Sequence, residues 1–309
     1  MATKSSPSGH TKPDDPEMVI RALTPSITIF SMPFARHGVL HFGLRCTAVR
    51  LRTGSLAIIS ACPLTPTVLR TLTQLAPDPA NSSFPNVRYL IAPDIEHHIH
   101  LGQWKEAFPS AHILAPEGLR EKRASMGFPD ADTPYAHVWK GGPEKRTEAG
   151  KYGTVIPQEF KNEIDVEYFE HHDNKDVAFL HKPDGGTLIE ADLWFNLPGN
   201  EQYSRTNPKV DPSSGVFTKA ALCCIRGPKI TRDGQVVPGS AIGHRRFAWY
   251  VLGKRNRPAY ADCVRVVSGW EFKRIVPCHG DVVEDGPAGG TAKAAWNEVY
   301  AWFLDLKKT

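Results

Sequence analysis

The sequence lacks the features of membrane, secreted and nucleic-acid-binding proteins. Its 309 residues contain no run of about 18 apolar residues, and the opening MATKSSPSGHTKPDDPEM has no apolar core of the signal-peptide type. We therefore expect no membrane span and a cytoplasmic location. Lys and Arg number 37 against 33 Asp and Glu, a formal charge of +4. So dilute a charge gives no indication of the concentrated basic face of a nucleic-acid binder, and nucleic acid is not an expected partner.

The six cysteines show no metal-binding or disulfide spacing. They form no Cys-x-x-Cys pair, so we expect free, buried thiols in a reducing compartment. With 41% hydrophobic and 23% charged residues, a chain of this length can bury a core without disulfides or a structural metal. Any metal site would therefore serve chemistry.

Apolar patterning predicts a layered α/β domain. We expect a disordered tail over 1–20, then one domain over 21–309, with surface insertions at 126–163 and 198–240 where Pro, Gly and charge replace periodicity. The apolar runs predict strands at 26–30, 46–51, 55–60, 87–92, 111–117, 165–170, 176–181, 186–192 and 274–280. Helical spacing predicts helices at 65–75, 96–108, 244–270 with a break near Pro258, and 291–308.

Histidines and carboxylates gather beside several of these strands. PDIEHHIH (93–100), IEAD (189–192) and VPCHGD (276–281) each end a strand, and EHHDNKD (170–176) precedes one. Imidazole and carboxylate are ligands for zinc, iron or manganese, and loops at one sheet edge often assemble such sites. We therefore predict a metal site where these loops meet.

In these motifs and their order the sequence resembles the metallo-β-lactamase superfamily, and within it the family called domain of unknown function 4336 (DUF4336). The superfamily motifs are THxHxDH after a strand, GHTxGS before a strand, an Asp after a later strand, and a His in a VPGHG-type loop. The resemblance implies a four-layer αββα sandwich. It puts Pro93 and Ile95 on the first two histidines and the remaining motif positions on His97, His98, His172, Asp192 and His279.

The resemblance implies one metal site instead of two. The first metal of the dinuclear members would retain only His172 of its three histidines, so we expect that site to be empty. The second would retain four candidate ligands, namely His97, His98, Asp192 and His279. Because an imidazole replaces one carboxylate, this set favours Zn²⁺, with Fe²⁺ or Mn²⁺ as alternatives.

The implied function is a metal-dependent hydrolase that acts on an ester, lactone or thioester of a small organic molecule. Asp192 or His172 would accept the proton of the attacking water. The same metal could instead support a lyase, dehydratase or decarboxylase reaction, or an iron oxygenase reaction. A non-catalytic scaffold for ligand binding or dimerisation is a further alternative, so a homodimer also stays open.

The candidate residues also have structural interpretations. Adjacent residues at a helix start point about 100° apart, so His97 and His98 reach one metal only if that turn is irregular. His98 can instead bond a backbone carbonyl, Asp192 can cap a turn, and His279 can anchor its loop. The basic and aromatic run 244–257 is expected to be an amphipathic helix with a solvated basic face.

Overall fold

Two mixed β-sheets pack face to face, and helices cover the outer face of each. The computed structural model describes residues 12–154 and 156–307. One buried cluster lies between the sheets, and two others lie between each sheet and its helices. This is the predicted αββα sandwich, and the prediction is confirmed.

The strands of the described residues fall into two sheets and two hairpins. In chain order they are β1 (Val19–Ala22), β2 (Ile27–Met32), β3 (Ala35–Arg36), β4 (Leu40–His41), β5 (Leu44–Arg50), β6 (Leu56–Ile59), β7 (Pro77–Asp78), β8 (Asn81–Pro85), β9 (Val87–Ile91), β10 (His112–Pro116), β11 (His137–Trp139), β12 (Ile164–Tyr168), β13 (Val177–His181), β14 (Thr187–Glu190), β15 (Arg274–Pro277) and β16 (Val283–Glu284). The first sheet has the order β1-β2-β5-β6-β9-β10-β11, and the second has β12-β13-β14-β15-β16.

The helices cover the two outer faces. They are α1 (Pro66–Leu75), α2 (Leu101–Ala107), α3 (Leu119–Ser125), α4 (Glu148–Tyr152), α5 (Gln158–Glu163), α6 (Val216–Ile225), α7 (Ile242–Phe247), α8 (Arg257–Ser268) and α9 (Thr291–Leu304). A π-helical segment, Ala248–Leu252, continues α7. Among the described residues, no helix combines the length and apolar character that crossing a membrane requires.

Burial on both faces explains why the sheet strands read as short, continuous apolar runs. In β2, Ile27 and Ile29 face the second sheet, while Phe30 and Met32 face the helices. Period-2 alternation therefore puts an apolar side chain on each face. In β14 and β15, which run parallel, the carboxyl ends reach the same edge of the second sheet. The loops that follow them carry Asp192 and His279.

The predicted helix at 96–108 begins later than expected. The Asp94 side chain accepts hydrogen bonds from the backbone N–H groups of Glu96 (2.8 Å) and His97 (2.7 Å), which holds this segment in a turn. Such side-chain bonds compete with helical ones, so α2 starts only at Leu101. His97 and His98 therefore lie in an irregular turn, which frees their directions from helical spacing.

The boundaries of the predicted tail and insertions also differ. Residues 1–11 lie outside the described residues, but the Lys12 N–H donates to Leu64 O (2.8 Å), Met18 is buried, and β1 begins at Val19. Residues 12–20 are therefore attached to the domain, because Met18 joins the apolar cluster under the first sheet. Segment 126–163 contributes β11, a parallel edge strand whose Trp139 packs between the sheets. Segment 198–240 contributes α6.

Candidate metal centre

Four loops meet at the edge where β9, β14 and β15 end and β13 begins. Backbone hydrogen bonds join them: Ile95 N–H donates to Asn174 O (3.0 Å), and Asn196 N–H donates to His279 O (3.2 Å). Residues distant in sequence are thus held at fixed separations. The structure brings all five predicted site residues to the lining of one cavity, namely His97, His98, His172, Asp192 and His279.

Asp94 orients the imidazole of His97. Its Oδ2 lies 2.9 Å from His97 Nδ1, and the carboxylate is fully buried. Because a carboxylate only accepts, Nδ1 carries the hydrogen, and in the neutral ring Nε2 presents its lone pair on the other side. Burial alone would lower the pKa of His97, but Asp94, Cys278 and Asp192 raise that pKa well above its usual value.

A backbone carbonyl orients His279 in the same way. His279 Nδ1 donates to Gly43 O at 2.7 Å, so in the neutral ring its Nε2 also presents a lone pair. The ring is stacked on Phe195, with 5.9 Å between the ring centroids. Burial would lower the pKa of His279, but Cys278 and Asp192 raise it.

The two imidazoles direct their Nε2 atoms at each other across 3.1 Å. Two lone pairs at this distance repel unless a positive charge lies between them, and that charge can be a shared proton or a metal ion. With Zn–N bonds of about 2.0–2.1 Å in a tetrahedral site, two nitrogen ligands stand about 3.3 Å apart. The spacing therefore fits two histidine ligands of one metal ion. An outer hydrogen bond orients each ligand, to the Asp94 carboxylate for His97 and to the Gly43 carbonyl for His279.

Asp192 supplies an oxygen beside the same pair. Its Oδ1 lies 3.3 Å from His279 Nε2, and its Oδ2 accepts a hydrogen bond from Asn174 Nδ2 at 2.6 Å. Burial would raise the pKa of this carboxyl, but the neighbouring histidines His97 and His279 hold that pKa well below its usual range. Asp192 is therefore ionised at neutral pH, as a metal ligand must be.

Cys278 is a further candidate donor that sequence analysis missed. The possible ligand atoms of His97, Cys278 and His279 all lie within 4.8 Å of one another, and so do those of Asp94, His97 and Asp192. Burial would raise the pKa of the Cys278 thiol, but His97 and His279 lower it to about 6. Its Sγ lies 3.5 Å from Arg45 O, behind the histidines.

The expectation that all six thiols are buried is wrong for two of them. Cys223 and Cys224 are exposed, and the other four cysteines are buried.

His98 also lines the cavity, but its imidazole is held by Arg123 instead of joining the candidate ligand atoms. Arg123, itself buried, donates through Nη1 to His98 Nδ1 (3.0 Å) and to His98 O (2.8 Å), and Phe128 packs edge-on against the ring. His98 is absent from both ligand groups of the described residues. The irregular turn brings His97 to the centre and His98 to Arg123, so three of the four predicted ligands, His97, Asp192 and His279, fall in these groups.

His172 holds the tautomer of a proton donor. Its Nδ1 accepts from the Asn174 backbone N–H at 3.1 Å, so in the neutral ring Nε2 carries the hydrogen. That buried Nε2 has no hydrogen-bond partner among the described residues. Burial lowers the pKa of His172, which keeps the ring neutral. This arrangement differs from the predicted role of proton acceptor, because the free nitrogen is a donor.

Buried polar groups behind the centre fix the loop of His279. Arg45 Nη1 donates to Pro277 O (2.5 Å) and Gly280 O (2.7 Å), and Gln202 Nε2 donates to Cys278 O (2.8 Å). Together with the bonds of His279 to Gly43 and Asn196, these contacts hold every residue from Pro277 to Gly280. These supports lie more than 70 positions away in sequence, so local patterns could not identify them. Asp94 and Asn174 could have been proposed from the sequence, since each lies within three residues of a predicted histidine.

The cavity in front of the centre has a volume of about 630 Å³. Its polar end is formed by His97, His172, Asp192 and His279, and its walls are formed by apolar side chains from the β3–β4 hairpin, α6 and α7. A cavity of this size suits a small organic molecule. Cys278 does not line the cavity, so a molecule in the cavity would approach the centre from the side of His97, Asp192 and His279.

The two mixed sheets and the helices that flank them form a metallo-β-lactamase-like α/β fold. Similar solved structures include FIM-1 from Pseudomonas aeruginosa in its mono-zinc form (10% identity, TM-score 0.51, 94% of this chain and 96% of that chain) and TMB-1 (13%, 0.51, 94% and 98%). Another is a mutant flavo di-iron protein from Thermotoga maritima (15%, 0.50, 95% and 64%). At these identities the likeness concerns the fold alone.

No family model and no curated protein matches the sequence. The resemblance to DUF4336 therefore stays a prediction, while the similarity in fold to metallo-β-lactamases extends over 94% of the chain.

Proposed function

We propose that the protein is a mononuclear metal-dependent hydrolase that acts on an ester, lactone or thioester of a small organic molecule. His97, Asp192 and His279 would hold the metal, with Cys278 as an additional soft donor beside the two histidines. The observation that carries the proposal is the 3.1 Å approach of two Nε2 atoms whose Nδ1 atoms are both occupied as donors. A sulfur and nitrogen donor set favours Zn²⁺ or Fe²⁺ over Mn²⁺.

The residues around the centre divide the work of hydrolysis. A bound metal of this class supplies Lewis acidity, which polarises a carbonyl and lowers the pKa of water. Asp192 would accept a proton from the attacking water, whose oxygen forms a bond to the acyl carbon. His172 Nε2–H would donate a proton to the alcohol or thiol leaving group as its bond to that carbon breaks. Return of the proton from Asp192 to His172 restores both groups, and one water is consumed.

Metal-dependent hydrolysis is tested with a panel of p-nitrophenyl esters, thioesters and lactones. Chelator-treated protein is assayed alone and after addition of one equivalent of Zn²⁺, Fe²⁺ or Mn²⁺. We expect turnover that needs metal and falls at least about a hundredfold in His279→Ala and Asp192→Asn. His112→Ala is the matched control, because this imidazole lies on β10 outside the cavity lining. Equal rates with and without metal would refute the proposal.

A metal-free ligand-binding scaffold is the second candidate, because a proton shared by His97 and His279 also explains their approach. The raised pKa values of both imidazoles agree with that alternative. Calorimetric titration of metal-free protein with ZnCl₂ separates the two. The hydrolase predicts one equivalent bound with release of protons, whereas the scaffold predicts no specific binding.

A further inference from the structure

The cavity joins the polar centre to an aromatic wall. Four phenylalanines from different segments line it: Phe34, Phe42, Phe195 and Phe247. The rings of Phe42 and Phe195 lie 5.6 and 5.9 Å from the His279 imidazole, between ring centroids. A molecule whose carbonyl reaches His279 therefore places its adjoining groups against apolar surface.

Of the described charged side chains that line the cavity, the carboxylates form ion pairs and the arginine does not. Glu96 forms an ion pair with Lys122, and Asp173 forms ion pairs with Lys254 (2.8 Å) and Arg255. Arg36 also lines the cavity, and no carboxylate of the described residues lies within ion-pair distance of it. Within the described part of the chain, the cavity lining thus offers one uncompensated guanidinium, a group that binds carboxylate or phosphate through paired N–H donors.

The backbone holds Arg36 in a fixed relation to the centre. Arg36 pairs with Leu40 in the β3–β4 hairpin, and Thr218 on α6 accepts from His41 N–H (3.2 Å). At the base of the hairpin, Gly43 N–H donates to Phe34 O (3.0 Å), and Gly43 O accepts from His279. One short segment therefore carries the cation and also orients a proposed metal ligand.

We propose that the substrate of this site is an apolar acyl compound that also carries an acidic group. The acidic group would pair with Arg36, the apolar portion would pack against the four phenylalanines, and the ester, lactone or thioester carbonyl would reach the centre. The reacting carbonyl rests on the proposed hydrolase function. Recognition of the acid and of the apolar portion does not, because both can be measured by binding alone.

The acid contact is tested with a matched pair of unreactive probes, 6-phenylhexanoate and 6-phenylhexanamide. Their affinities are measured by calorimetry for metal-free protein, for zinc-loaded protein and for Arg36→Gln. We expect the acid to bind about tenfold more tightly than the amide in the wild-type protein, with or without zinc. In Arg36→Gln the affinity for the acid should fall to that for the amide, while the affinity for the amide stays unchanged.

Arg246→Gln is the control, because Arg246 is exposed on α7 and does not line the cavity. It should preserve the tenfold preference. Equal affinities for the two probes in the wild-type protein, or an equal loss for both in Arg36→Gln, would overturn the acid contact. An acid preference without turnover of any ester would refute hydrolysis and leave this inference standing.

The apolar wall is tested by the length of the probe. From 4-phenylbutanoate to 6-phenylhexanoate, affinity should rise by up to about fourfold per methylene. Phe247→Ala should weaken both acids and leave the tenfold acid preference in place, since Phe247 is not part of the charge contact. An affinity that does not change with length would overturn the assignment of an apolar substrate.

Discussion

Asp94 fixes both the backbone and the imidazole of His97. One carboxylate oxygen accepts the N–H groups of Glu96 and His97, and the other accepts His97 Nδ1–H. The side chain is 0% exposed, so these bonds are not exchanged for water. The direction of His97 Nε2 therefore depends on a residue that is itself outside the proposed ligand set.

Asp94→Asn should lower metal affinity about 10- to 100-fold. The amide oxygen can still accept from the backbone N–H groups, but the amide nitrogen cannot accept from His97 Nδ1–H. The imidazole is then no longer held in the tautomer that leaves Nε2 free to bind a metal. Competition with a chromophoric zinc chelator measures the affinity. Asp173→Asn, at the mouth of the cavity, should leave it unchanged, and an unchanged affinity in Asp94→Asn would contradict the role of Asp94.

His181 should make the free energy of unfolding depend on pH. It is 0% exposed on β13, neither ring nitrogen has a partner among the described residues, and burial lowers its pKa from 6.5 to about 4. Because the folded pKa lies below the unfolded one, the unfolded state binds the proton more readily between these values. The contribution of neutral His181 is complete above about pH 6.5 and is lost as the pH falls towards 4.

Urea denaturation of metal-free wild-type and His181→Phe protein at pH 7.5 and 5 measures this effect. Between the two values, the wild type should lose about 2 kcal/mol more unfolding free energy than the variant. Equal losses would show that His181 is protonated in the folded state at pH 5.

At the scale of the element, β11 shows where sequence patterns were insufficient. Its three residues lie within the polar segment 126–163, too short for a recognisable period, yet Trp139 is 1% exposed and packs against Phe179. Strands such as β2 and β9 were predicted because both their faces are apolar. The start of α2 was placed too early because the competing Asp94 side-chain bonds override the helical spacing of 96–108.

Trp139→Ala should therefore destabilise the protein by about 4 kcal/mol, because it leaves a cavity between the two sheets. Met126→Ala, in the same segment but 54% exposed, should change the unfolding free energy by less than about 0.5 kcal/mol. Both values come from urea denaturation at pH 7.5. Similar small effects for the two variants would mean that β11 does not pack as described.

The loop of His279 depends on a buried cation from the first sheet. Arg45→Met removes the donors to Pro277 O and Gly280 O and should cost about 3 kcal/mol of unfolding free energy together with metal affinity. Arg21 shares the Glu201 partner but is 35% exposed, so Arg21→Met should cost less than about 1 kcal/mol. Equal costs in urea denaturation would contradict a specific role for Arg45.

At the scale of the whole molecule, the sequence motifs identified residues that the fold brings to one cavity, but not the contacts that orient them. His97, His172, Asp192 and His279 were found because each lies beside a recognisable strand, and the fold brings those strand ends together. His98 was assigned to the centre from motif spacing, which cannot register that Asp94 turns the chain and Arg123 captures the ring. Arg45 and Arg36 act across the tertiary structure, so no local pattern marks them.

The most direct test of a single metal centre is a crystal structure of zinc-loaded protein with anomalous data above and below the zinc edge. We predict one anomalous peak within bonding distance of His97 Nε2, His279 Nε2 and Asp192 Oδ1, with His98 still bonded to Arg123. A peak at His98, or no peak between His97 and His279 in protein loaded with one equivalent of zinc, would contradict the account.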